Sequence, residues 1–79
     1  MKARILVRPK PGILDPQGEA VQSSLRQLGL AVDEARVGRV IDLQLEDADA
    51  DAARAELERA CEQLLANPLI ESYEIALER

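Results

Sequence analysis

The sequence predicts an α+β fold of two layers in the order β-α-β-β-α-β, with two helices laid on one face of a four-stranded, mainly antiparallel sheet. Three observations predict it. Apolar residues recur at helical spacing in two stretches, Val21-Leu25-Leu28 and Ala53-Leu57-Ala60-Cys61-Leu64-Leu65. In other stretches they alternate with polar residues, as in Ile41-Asp42-Leu43-Gln44-Leu45-Glu46. Proline, glycine, asparagine or aspartate punctuates the boundaries between the two kinds of stretch.

The first strand covers residues 3–8, with Ala3, Ile5 and Val7 on one face, and stops at Pro9. Pro9-Lys10-Pro11-Gly12 makes a rigid loop, because proline fixes the backbone and donates no hydrogen bond. Asp15 caps the first helix and Pro16 suits its first position; Gly29 suits a left-handed cap at its end. Gly18 lies in the first turn, where it weakens the helix and marks a close approach by another backbone. Residues 32–37 and 40–46 are two further strands joined at Gly38-Arg39, either through a type II′ hairpin turn or as one long strand bulged at Gly38. The second helix runs from about residue 49 to 66, with Asp49 and Asp51 at the positive end of its dipole, and ends at Asn67-Pro68. A last strand over residues 70–78 puts Tyr73, Ile75 and Leu77 on one face. The element order resembles the ferredoxin-like arrangement.

A chain of 79 residues makes one small domain, 1–79. Domains of that size usually need a disulfide, a metal or a partner chain. With one cysteine and no histidine, neither of the first two is offered. With a single aromatic residue, the core rests on Leu, Ile, Val and Ala, and an oligomer is expected. A net charge of −5 argues against nucleic acid, which needs a basic footprint. No apolar run is long enough to span a bilayer, and the start lacks the apolar stretch of a secretory signal, so a cytoplasmic location is the expectation. Charge is uneven: Lys2, Arg4, Arg8 and Lys10 open the chain, and Glu46, Asp47, Asp49, Asp51, Glu56, Glu58 and Glu62 crowd a later stretch. These are either solvated faces or patches that meet complementary partners.

Catalytic chemistry finds little footing. Without histidine there is no Ser-His or Cys-His pair. Cys61 falls on an apolar stripe, where cysteine behaves as a small hydrophobe. The glycines are scattered and form no phosphate loop. Asp49 and Asp51 are explained by capping and dipole pairing. Tyr73 is either core or an interface anchor. The residues alone therefore describe a binding or structural module; a regulatory domain that binds a small ligand at a dimer interface is the competing reading, and an enzyme built on paired carboxylates the third.

Three stretches, in order, resemble one family: Leu14-Asp15-Pro16-Gln17-Gly18 with Ala20-Val21 and Leu25; Val37-Gly38-Arg39 leading to Asp42-Leu43; and residues 64–74, Leu-Leu-Ala-Asn-Pro-Leu-Ile-Glu-Ser-Tyr-Glu. Together they look like the PurS family, over nearly the whole chain, with Arg39 where the family usually has lysine, Val40 where it often has an aromatic residue and Asp42 where it has glutamate. The resemblance implies a subunit without catalytic or cofactor-binding residues of its own, inside the ligase phosphoribosylformylglycinamidine (FGAM) synthase of purine biosynthesis. It implies a glutaminase partner, PurQ, which releases ammonia, and a synthetase partner, PurL, which uses ATP and magnesium to activate an amide oxygen that ammonia displaces. It implies that this subunit joins the two and assists ammonia transfer, and that it self-associates as a dimer or tetramer. The candidate interface residues are Asp15, Pro16, Gln17 and Gly18 at a loop-helix corner, Gly38 and Arg39 at an exposed turn, Asn67, Pro68 and Glu71 at the entry to the last strand, and Tyr73.

Overall fold

Alternation in the first strand sets the architecture. In the computed structural model, which describes residues 1–46 and 49–78, strand β1 (Lys2–Pro9) buries Ala3, Ile5 and Val7 and leaves Lys2, Arg4 and Arg8 outside. It is the centre of a three-stranded antiparallel sheet of order β2-β1-β3, with β2 at Arg39–Gln44 and β3 at Glu71–Glu78. The register places Ile41 and Ile75 on either side of Ile5, and Leu43 and Leu77 on either side of Ala3. Side chains directly across a ladder share a face, so one sheet face is apolar. The other carries Lys2, Arg4 and Arg8 among Asp42, Glu74 and Glu78. There Arg4 grips its cross-strand neighbour Asp42 through two hydrogen bonds, of 2.7 and 3.3 Å.

Helix α2 (Ala50–Ala60) lies on the apolar face, capped by Asp49, whose side chain accepts from the Asp51 N–H. Its stripe continues into one π-helical turn, Cys61–Leu65. Leu57, Cys61 and Ala66 close over Ala3, Ile5 and Val7 to form the core, with Cys61 and Ile5 wholly buried. α2 packs towards β3, and Ile41, Leu43 and Leu45 on the β2 side stay half-buried.

Helix α1 (Pro16–Gln27) has the expected start and end. Asp15 caps it, Pro16 opens it, and Gly29 at φ 93° ends it, with the Leu30 N–H returning to the Leu25 carbonyl. It does not lie on the sheet. The Cα atoms extend 48 × 25 × 14 Å with a radius of gyration of 15.8 Å, against about 12 Å for a compact domain of this length. A strand of eight residues and a helix of twelve, together about 45 Å long, fill the long dimension only end to end. Val21 and Leu28 on the stripe are exposed.

The four-stranded β-α-β-β-α-β expectation is thereby corrected to three strands and two helices. Residues 32–37 are irregular, because their polar groups are met by side chains rather than by a neighbouring strand. The Val37 N–H donates to Asp15, the Val32 carbonyl accepts from Arg26, and Arg36 turns to the carbonyls of Lys10 and Ile13. No hairpin turn or bulged strand forms at Gly38-Arg39, since β2 begins at Arg39 and Gly38 does not have positive φ. Gly38 is needed for a different reason: a Cβ there would collide with the Val7 carbonyl as the chain comes alongside β1. In the acidic stretch, Asp47 lies outside the described residues.

Candidate interface site

Three chain segments meet at one corner: the start of α1, the entry to β2 and the entry to β3. One carboxylate makes the first junction. Asp15 accepts from the Gly18 N–H at 3.0 Å with Oδ1 and from the Val37 N–H at 2.9 Å with Oδ2. The capping bond is local, whereas the second reaches 22 residues along the chain and fixes the base of α1 to the returning segment. These backbone donors, Val37 first and then Gly18, hold the Asp15 carboxyl below its ordinary range. Gly18 is buried here, and a Cβ on it would run into the Ala35 carbonyl and the Asp15 carboxylate. The close approach expected at Gly18 is therefore the passage of the 32–37 segment.

A guanidinium makes the second junction. Arg39 holds Glu71 in a two-point pair, with Nη1 at 2.8 Å from Oε2 and Nη2 at 3.2 Å from Oε1. Nη2 also donates to the Leu65 carbonyl at 2.5 Å, at the end of the π turn. Glu71 accepts in addition from the Asn67 N–H at 2.8 Å. The Arg39 bonds, and then the Asn67 N–H, keep the Glu71 carboxyl below its ordinary value. Asn67 shapes the turn ahead of β3: its side chain accepts from the Leu69 N–H, and its carbonyl from the N–H groups of Ile70 and Glu71. Lys10 crosses to the Pro68 carbonyl at 2.6 Å and ties the first loop to that turn.

Between the junctions lies a depression of about 300 Å³. Asp15, Pro16, Gln17, Gly38, Arg39 and Glu71, six of the expected residues, line it, together with the apolar side chains of Ile13, Leu14 and Ile70. Gly18 and Asn67 stand behind it through their bonds to Asp15 and Glu71. A wider cleft of about 850 Å³, between the end of β1 and the 34–40 segment, shares Gly38 and Arg39. Tyr73 is elsewhere. It faces the α2 side, where its hydroxyl donates to Glu62 at 2.9 Å, and that carboxylate raises its phenol above the ordinary value. Lys10, which the sequence places in a basic opening patch, and Arg36, which no spacing marks, both brace the corner. Leu14, Leu69 and Ile70, which belong to the stretches that carry the resemblance, are exposed around it.

The charged groups of the corner are paired with one another and with backbone. Its carboxylates are ionised and already engaged, and its one cation in contact with them is engaged too. Cys61, the chain's one thiol, is buried in the core and burial pushes it up. Among the described residues, no group of three or more Cys, Asp or Glu side chains could hold a metal ion, and no helix is long and apolar enough to cross a membrane.

Residues 2–79 match the family described as PurS: phosphoribosylformylglycinamidine (FGAM) synthase. The chain belongs to the PurS family. A PurS subunit from Synechocystis is 49% identical over 89% of this chain and 71% of its own length. That of Methanocaldococcus jannaschii is 37% identical over 99% and 95%. Among solved structures, Bacillus subtilis PurS superposes with a TM-score of 0.88 at 37% identity, covering 99% of this chain and 98% of that one. A chain of PurLQS from Thermotoga maritima gives a TM-score of 0.83 at 37% identity over 95% and 93%. The PurS assignment places the chain in the FGAM synthase ligase of purine biosynthesis as a subunit.

Proposed function

We propose that this chain is a bridging subunit that holds the glutaminase PurQ against the synthetase PurL in the cytoplasm, and that the Asp15-Arg39-Glu71 corner is one of its contacts with them. The observation that carries the reading is the likeness, over almost the full length, to a chain of the solved PurLQS of Thermotoga maritima. The physical logic is concentration. Ammonia released into bulk water is diluted and protonated, whereas joining the enzyme that makes it to the enzyme that consumes it converts a bimolecular encounter into a local one. The complex would draw on ATP and magnesium through the synthetase. This chain contributes surface only.

The test is glutamine-dependent FGAM formation by purified glutaminase and synthetase, with and without this chain, beside a control driven by ammonium salt. Restoration of glutamine-dependent turnover, with the ammonium rate unchanged, is the expected result. Equal glutamine-dependent turnover without the chain refutes the bridging role.

A further inference from the structure

The π turn changes what the second helix buries. On a regular helix Leu64, seven residues after Leu57 and three after Cys61, continues the buried stripe. The turn over Cys61–Leu65 is wider by one residue: the Ala66 N–H returns to the Cys61 carbonyl, five residues back, at 3.0 Å. Ala66 therefore closes over the core, and Leu64 is turned outward, 81% exposed. π turns are rare, and they occur frequently at functional sites.

Leu64 is also held in place. Arg39 donates to the Leu65 carbonyl, the next peptide along, and the same guanidinium clamps Glu71. The outward leucine is thereby fixed to the entry of β3. From Leu64 to Ile70 the chain exposes three large apolar side chains, Leu64, Leu69 and Ile70. The helix surface leading to them is acidic: Asp51, Glu56, Glu58 and Glu62 are exposed against Arg54 and Arg59, and Arg54 is turned to the Ile75 carbonyl. Exposed apolar side chains rimmed by charge mark interaction surfaces, and one that is already ordered loses little freedom on binding. A socket for it must carry the opposite charge at its rim. A second copy of this chain, at net −5, brings more of the same charge.

We propose that Leu64 is an anchor by which this chain docks on a catalytic subunit of the ligase, entering an apolar socket rimmed by lysine or arginine, with the π turn as the device that presents it. The inference rests on the bridging reading and names a contact for it. The leucine supplies affinity, and the acidic flank of α2 sets orientation and speeds encounter.

The test is capture of the full chain, with glutamine and ATP present, by immobilised glutaminase, by immobilised synthetase and by the two together. Leu64 lies outside the core, so Leu64→Ser should leave the circular dichroism melt unchanged while weakening capture about tenfold or more. Glu58→Lys should lower capture by slowing association, an effect that added salt erases; capture equal to that of the parent refutes the basic rim. Capture of Leu64→Ser equal to that of the parent overturns the proposal and leaves the bridging role standing. A parent chain captured by neither subunit, nor by the two together, refutes the bridging role and the anchor with it. A Leu64→Ser melt below that of the parent places the side chain in the fold, and a change in sedimentation with capture unchanged places its socket on a second copy; either overturns the proposal.

Discussion

Replacing Arg39 with alanine removes three hydrogen bonds at once, two to Glu71 and one to the Leu65 carbonyl. The pair is partly screened, since the Arg39 side chain is 49% exposed, but Glu71 is only 19% exposed and keeps its bond from Asn67. Exposed ion pairs contribute about 0–1 kcal/mol, and a net hydrogen bond to a carbonyl about 0.5–1.5 kcal/mol. The expected loss is therefore about 1–2 kcal/mol, and at roughly 4–8 °C per kcal/mol for a domain of this size the melting temperature falls by about 5–15 °C. Circular dichroism melts at a fixed chain concentration measure it, because the midpoint of any chain that self-associates depends on concentration. Arg39→Lys keeps the charge without the two-point geometry and should fall between. The contribution is also pH-dependent. Glu71 has its folded value below the ordinary 4.5, so the stabilisation is complete above that value and fades as pH falls through the lower folded value. An Arg39→Ala melt within 2 °C of the parent, with the same acid limb, would refute the clamp. On the bridging reading, the same variant also lowers glutamine-dependent turnover by more than its loss of folded chain explains.

Gly18→Ala forces a methyl group into the Ala35 carbonyl and the Asp15 carboxylate, and overpacking of this kind costs about 1–3 kcal/mol; a melt at or above that of the parent contradicts the close passage. Asp15→Asn should reduce the acid sensitivity of α1: the Asp15 carboxyl lies below its ordinary 3.8, so its support is present above that value and lost as pH falls through the folded one. Hydrogen exchange of α1 amides between pH 5 and 3, compared with that of α2, reads this, and parallel behaviour of parent and variant counts against the Asp15–Val37 tie. Cys61 is wholly buried, so a thiol reagent should label it only as fast as the chain unfolds; rapid labelling in buffer would mean that the core is open.

Local pattern carried the sequence reading where the energy is local. Ala3-Ile5-Val7 and Leu57-Cys61 announce a strand and a helix because their periods match the surfaces they bury. Asp15, Pro16 and Gly29 announce the helix between them because capping needs only neighbours. Residues 32–37 misled because Val32 and Val37 suit any extended backbone, and whether a ladder forms depends on a partner strand elsewhere. Among the described residues no strand pairs with it; Asp15 and Arg26 meet its backbone instead, and the Arg36 side chain ties it to the Lys10 carbonyl. Arg39 read as an exposed turn residue because its acceptor Glu71 lies 32 residues away. The position of α1 is not legible because an apolar stripe announces a helix but not the surface it packs on, and Val21 and Leu28 stay exposed in this chain.

The corner's own chemistry says where docking energy would come from on the proposed reading. Arg39, Glu71 and Asp15 are already paired, so a partner that meets them orders little that is not ordered, and gains little by replacing bonds already made. They fix shape and charge, which select a partner. Binding free energy must then come from apolar surface around them: Leu14 at 71% and Ile70 at 43% exposure line the depression, and Leu69 at 82% stands in the Asn67 turn beside it. Leu69→Ser leaves every bond of the clamp in place, so it should leave the melt unchanged while weakening capture of this chain by the glutaminase and synthetase at least tenfold in a pull-down titration. Arg39→Ala should lower both. If Leu69→Ser and Leu14→Ser bind as the parent does, the corner is a fold clamp alone and the bridging contacts lie elsewhere on the chain.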